Sequence, residues 1–181
     1  MIHSKYGFHF VGAKLRDGSP VPPDGEWLCV TSPLKMCGHG LHGSPTAFEA
    51  LQYAPGTVLC WCEFGGNILR GTDKFCAESR RILARFDATE ILRAHARQSA
   101  LSVIHLWRAP EVVRQYLGTG DESIRSEARS AAAAYADADA AYAAYAAAAA
   151  DAAAYARKRI LEQASERLQA AVDAKFKELC P

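Results

Sequence analysis

From Asp121 to the last residue the chain contains no glycine, and its only proline is the terminal Pro181. Between residues 131 and 156, 19 of 26 positions are alanine, the strongest helix former. Such a stretch has one regular outcome, an α-helix, and an uninterrupted helix over this region would run to about 85 Å at about 1.5 Å per residue. A helix that long has to fold back, project, or pair with another chain. At about 100° per residue, Tyr135, Tyr142 and Tyr145 share one third of its circumference, while Asp137, Asp151 and Tyr155 point the other way. Further on, Leu161, Ala164, Leu168, Val172, Phe176 and Leu179 form a stripe with three- and four-residue spacing. This stripe is expected to pack within the chain or in a homo-oligomer. The three tyrosines, large knobs on a smooth alanine surface, are candidate partner-binding residues.

The strong core formers lie mostly before residue 118, which predicts an α+β globular domain over 1–118 and an alanine-rich helical tail over 119–181. The domain is expected to hold a small mixed or antiparallel sheet with helices. Tyr6–Val11 and Trp27–Thr31 read as strands, and Ser44-Pro45 as the start of a helix over Thr46–Ala54. Thr57–Phe64 is the clearest strand. Val58, Cys60, Cys62 and Phe64 fall on one face, Leu59, Trp61 and Glu63 on the other, and Gly65-Gly66 ends it. Arg80–Asp87 reads as a further strand. A helix is then expected from Asp87 or Thr89 to about Trp107, and a second after Pro110 that Gly118 closes.

Charge excludes some classes of function. Residues 1–120 carry 13 Lys/Arg against 10 Asp/Glu, a net of +3, and residues 121–181 carry 8 against 10, a net of −2. Neither balance suits a nucleic-acid binder, so no nucleic-acid partner is expected. No apolar run reaches the length of a membrane span, and no signal peptide is read at the N-terminus. The expectation is a cytosolic protein with six reduced cysteines. Cys37, His39 and His42 sit within six residues, but C-x-H-x-x-H matches no common zinc spacing, and neither a metal nor a cofactor is expected. Arg80, Arg81, Arg85, Arg93 and Arg97 make the densest basic region. Arg81 and Arg85, read on one strand face, or Arg93 and Arg97, four apart on a helix, are candidates to grip a phosphate or an acidic partner.

Residues 1–125 resemble an uncharacterised domain of tailed-phage and prophage proteins. The resemblance is carried by GFHFVGAKLRDG (7–18), GEWL (25–28), GLHGS (40–44), ALQYAPGTVLCWCE (50–63), DK (73–74), RRILARFDATEILR (80–93) and VIHLWRAPEVVRQYLGTGDESIR (103–125). It implies a phage or prophage protein working in the host bacterial cytosol, with alanine-rich repeat helices after the domain, and it brings no established activity. By analogy it favours a non-enzymatic accessory protein that binds and inhibits a host complex, such as a bacterial defence system, in the manner of an anti-CRISPR protein. GLHGSPTAFEALQYA between two strands is also similar to part of the ADP-ribosyltransferase fold. That similarity would give His9 a ribose contact, line the nicotinamide with His42 or Ser44 and Tyr53, and make Glu63 the acidic residue. A third reading is a structural phage component that oligomerises through its tail.

Overall fold

The computed structural model describes residues 5–134 and 150–179, so Tyr135, Tyr142, Tyr145 and the centre of the alanine tract lie outside the described residues. The fold is α+β. Its strands are β1 (Tyr6–Val11), β2 (Leu28–Cys29), β3 (Leu41–Gly43), β4 (Val58–Arg70) and β5 (Phe75–Asp87), and every pairing is antiparallel. The helices are α1 (Ala47–Leu51), α2 (Thr89–Val103), α3 (Glu111–Thr119), α4 (described over 125–134) and α5 (Ala150–Leu179). Two 3₁₀ turns, Ile104–Leu106 and Glu122–Ile124, join the middle helices.

The chain divides into two compact units at different places from those expected. One unit is Met1–Leu92 together with Leu168–Pro181; the other is Arg93–Arg167. The physical reason is the Leu168–Val172–Phe176 stripe. Leu168 and Val172 are fully buried against Phe8, Phe10, Leu59, Ala47 and Ala50, and Phe176 packs on the same cluster. The end of α5 is therefore part of the sheet domain, while Leu179 stays exposed. Gln169 adds a polar tie, since its Oε1 accepts from the Ala47 N–H at 2.9 Å.

In the sheet, β1 pairs with β4, β4 with β5, and β5 with both β2 and β3. Beyond β3, Ser44 exchanges two backbone hydrogen bonds with Phe8 of β1, at 2.8 and 2.9 Å. The sequence β1–β4–β5–β3–β1 thus returns on itself as a small, incomplete barrel with two differently used faces. The inner face holds Val11, Cys60, Cys62, Phe64, Phe75, Ala77 and Ile82. Phe8, Phe10, Leu59 and Trp61 lie on the outer face, under α1 and the end of α5. The alternation expected for Val58–Phe64 is present as read.

Several local boundaries differ from expectation. Gly65-Gly66 does not end β4. Gly66 takes a left-handed φ of 72°, the register shifts between Gly65 and Ile68, and the strand runs on to Arg70. The N-cap of α1 is Thr46, not Ser44, in a capping box with Glu49. Helix α3 runs through Gly118 and is closed by Gly120 in the left-handed region.

The second unit has its own small core of Ala109, Val113 and Ala128, flanked by Ile104, Trp107, Tyr116 and Leu117. Its two glycines allow a clean contrast. A methyl added at Gly118 meets nothing, so Gly118→Ala should stabilise by about 0.5–1 kcal/mol. At Gly120, φ is 71° and an added Cβ would sit 2.7 Å from the Arg97 guanidinium, so Gly120→Ala should destabilise by about 1 kcal/mol or more. Thermal melts of the two variants should move in opposite directions.

Among the described residues, no helix is long and apolar enough to cross a membrane.

Candidate functional site

Of the four residues of the transferase-like reading, Glu63 lies on the face of the sheet opposite His9. Strand pairing sets Glu63 opposite Tyr6 and His9 opposite Cys60. Because side chains alternate along a strand, Glu63 faces outward with Trp61, whereas His9 faces the barrel interior. Glu63 is 7% exposed and uses both carboxylate oxygens. Oε1 accepts from Lys5 Nζ at 2.5 Å, and Oε2 accepts from Arg81 Nη2 and Nε at 2.6 and 2.8 Å. Hydrogen bonds from Lys5, and then from Arg81, hold the Glu63 carboxyl below its ordinary range, which keeps it ionised and a poor proton carrier.

His42 and Tyr53 share a different neighbourhood, built around Lys74 and Cys37. His42 Nε2 accepts from the Cys37 N–H at 3.0 Å, and Cys37 is held at a left-handed φ of 60°. Lys74 Nζ lies 4.0 Å from the centre of the Tyr53 ring, and a hydrogen bond to Cys37 is the main reason its ammonium is held above the usual lysine range. Tyr53, half exposed, donates from its hydroxyl to Asp73 Oδ2 at 2.5 Å. Ser44 is buried and is spent on the β1 bridge through its backbone.

Arg81 and Arg85 do not share a face, contrary to the reading that grouped them. The register of β4 on β5 slips between Trp61 and Cys62, so Arg81 is opposite Glu63 and Arg85 is opposite Cys60. Arg81 therefore lies outside, bound to Glu63, with its guanidinium 4.8 Å from the centre of the exposed Trp27 ring. Arg85 lies inside and pairs with Asp24 at 2.8 Å, while donating to the Pro22 carbonyl at 3.0 Å. Their partners are thus Glu63 and Asp24, neither of which is near in sequence.

Sequence reasoning gave no role to Arg80 on its own or to Trp27. Arg80 is opposite Phe64 on the inner face and only 4% exposed. A buried arginine inside a hydrophobic strand has no local signature, because its burial comes from the bulge that resets the strand's parity. The thiols beside it are inert. Burial pushes Cys60 up to about 11 and Cys62 up to about 12, so neither is a nucleophile near neutral pH. Burial, reinforced by the Arg80 charge, keeps His9 well below the ordinary histidine range, so its ring is neutral. Among the described residues, no group of three or more His, Cys, Asp and Glu side chains could hold a metal ion.

No curated protein and no solved structure matches this chain. Residues 5–94, which contain the whole strand system and the start of α2, match the model of a family described as a domain of unknown function (DUF7666).

Proposed function

We propose that this chain is a non-enzymatic phage accessory protein that binds and blocks a host protein complex, of the class a bacterial defence system presents. The observation that carries the non-enzymatic half is the bonding of Glu63. The acidic group a transferase would need is saturated by Lys5 and Arg81 on the face opposite His9. What supports binding is the exposed Trp27, 41% accessible and stacked over Arg81. Tryptophan and arginine are the side chains that most often anchor protein interfaces. The phage resemblance supplies the partner class, and Tyr135, Tyr142 and Tyr145 offer a second contact region.

The test is affinity capture of the full chain from bacterial lysate, with bound proteins identified by mass spectrometry. Beside it run Trp27→Ala/Arg81→Ala, the Tyr135, Tyr142 and Tyr145 triple alanine variant, and Tyr53→Phe as a control. Substitution serves better than removing residues 126–181, because that cut would take Leu168 and Val172 out of the sheet domain's core. The expected result is one stoichiometric partner, kept by Tyr53→Phe and lost by at least one of the two surface variants. An empty lane, together with NAD cleavage that Glu63→Gln abolishes, would replace this reading with the transferase one.

A further inference from the structure

Arg80 is a buried cation on the inner face of the sheet. Among the described residues no carboxylate pairs with it. Glu63 is outside with Lys5 and Arg81, Asp24 is bound to Arg85, and Glu78 is held by Ser32 and Asn67. Among the described residues its one hydrogen bond is from Nη1 to the His42 carbonyl at 2.8 Å, which leaves most of the donor fork unused. The groups around it do not offset the charge: Cys60 and Cys62 remain neutral thiols, and burial lowers the Arg80 guanidinium itself. Removing a charge from water without a partner is costly, and a structural strap between β5 and β3 needs only a neutral donor to reach one carbonyl.

Two further observations define a place for a ligand. His9, on the same inner face, makes no hydrogen bond through its ring among the described residues, although its environment feels the Arg80 charge. The His42 carbonyl that Arg80 reaches lies two residues before Ser44, whose backbone bridge to Phe8 brings that strand alongside His9. The guanidinium fork and the imidazole thus belong to one stretch of the inner face.

We propose that the inner face of this barrel binds a small oxyanion, a phosphate or carboxylate group, through Arg80 with His9 as a second donor. The oxyanion supplies the missing counter-charge, and an arginine fork matches the paired oxygens of either group. His9 contributes a neutral N–H and no charge. The site is separate from the outer surface of Trp27 and Arg81 and does not depend on the partner-binding reading.

The experiment uses the full chain, dialysed free of oxyanions. It is titrated with inorganic phosphate, with acetate and with chloride at matched ionic strength, followed by thermal melting and calorimetry. Phosphate or acetate should raise the melting temperature saturably where chloride does not, and which of the two acts identifies the oxyanion. Arg80→Met and Arg80→Lys should weaken the dissociation constant by about tenfold or more, the loss of a charge-assisted hydrogen bond. His9→Gln should weaken it less. No response beyond chloride, or an undiminished response in a folded Arg80→Met variant, overturns the proposal. If Arg80→Met does not fold, the Arg80 Nε–H resonance of the unaltered protein is followed during the titration. A saturable shift supports the site, and an unmoved resonance overturns it.

Discussion

A fragment consisting of residues 5–94 should fail to fold cooperatively, although it spans the whole region of family similarity. It contains all five strands, but its outer face loses Leu168, Val172 and Phe176. Phe176 sits with its ring centre 5.0 Å from Phe86, 6.2 Å from Phe8 and 6.5 Å from Trp61, so removing it exposes an aromatic cluster. Deleting one buried leucine costs about 2–5 kcal/mol and one buried phenylalanine about 3–5 kcal/mol. Against a total stability of about 5–15 kcal/mol, losing three such side chains leaves little. The single substitution Leu168→Ala in the full chain should already cost about 3 kcal/mol. Circular dichroism and thermal melting check both statements, and a peptide of residues 162–181 added to the fragment should restore a transition. A fragment that melts cooperatively within a few degrees of the full chain would show that α5 is a passive cover.

The parts of this fold that were readable from sequence are those in which local pattern and tertiary use agree. The alternation over Val58–Phe64 and the stripe Leu168–Val172–Phe176 both name their buried faces correctly, because a period of two or of three to four residues survives into the packed structure. The stripe could not name its partner, since periodicity specifies a face and leaves open what covers it. Where reading failed, one residue changed the parity. Gly65-Gly66 looks like a terminator but is a bulge inside β4, with the Glu78 carboxylate accepting from the Asn67 backbone N–H at 2.8 Å. A second slip near Leu83 turns Arg81 outward and Arg85 inward, splitting a pair that simple alternation keeps together. The same slip creates the candidate oxyanion site, since it leaves Arg80 inside with Ile82. The most consequential residue of the barrel thus depends on a feature that only pairing with β4 determines.

Closure of that barrel gives the second large expected effect. Phe64 and Phe75 meet edge to face, with ring centres 4.7 Å apart, and two glycines make room for them. A Cβ at Gly7 would lie 2.7 Å from the Ser44 carbonyl and 2.8 Å from the Phe75 ring, and one at Gly43 would lie deep inside the envelope of the Phe64 ring. The obstacles differ in kind. At Gly7 part of the obstruction is backbone, at the Phe8–Ser44 bridge that completes the circuit, whereas at Gly43 it is a side chain. Gly43→Ala should therefore cost about 3 kcal/mol through overpacking, close to 10 °C in melting temperature for a chain of this size. Adding Phe64→Leu should return part of that loss, because the smaller side chain vacates the space the new methyl needs. The double-mutant cycle is then expected to show a favourable coupling of about 1–2 kcal/mol. The same Phe64→Leu change should do less for Gly7→Ala, where the Ser44 carbonyl cannot retreat without opening the bridge. Equal rescue of both glycine variants would mean that the ring pair, and not the strand closure, limits the packing.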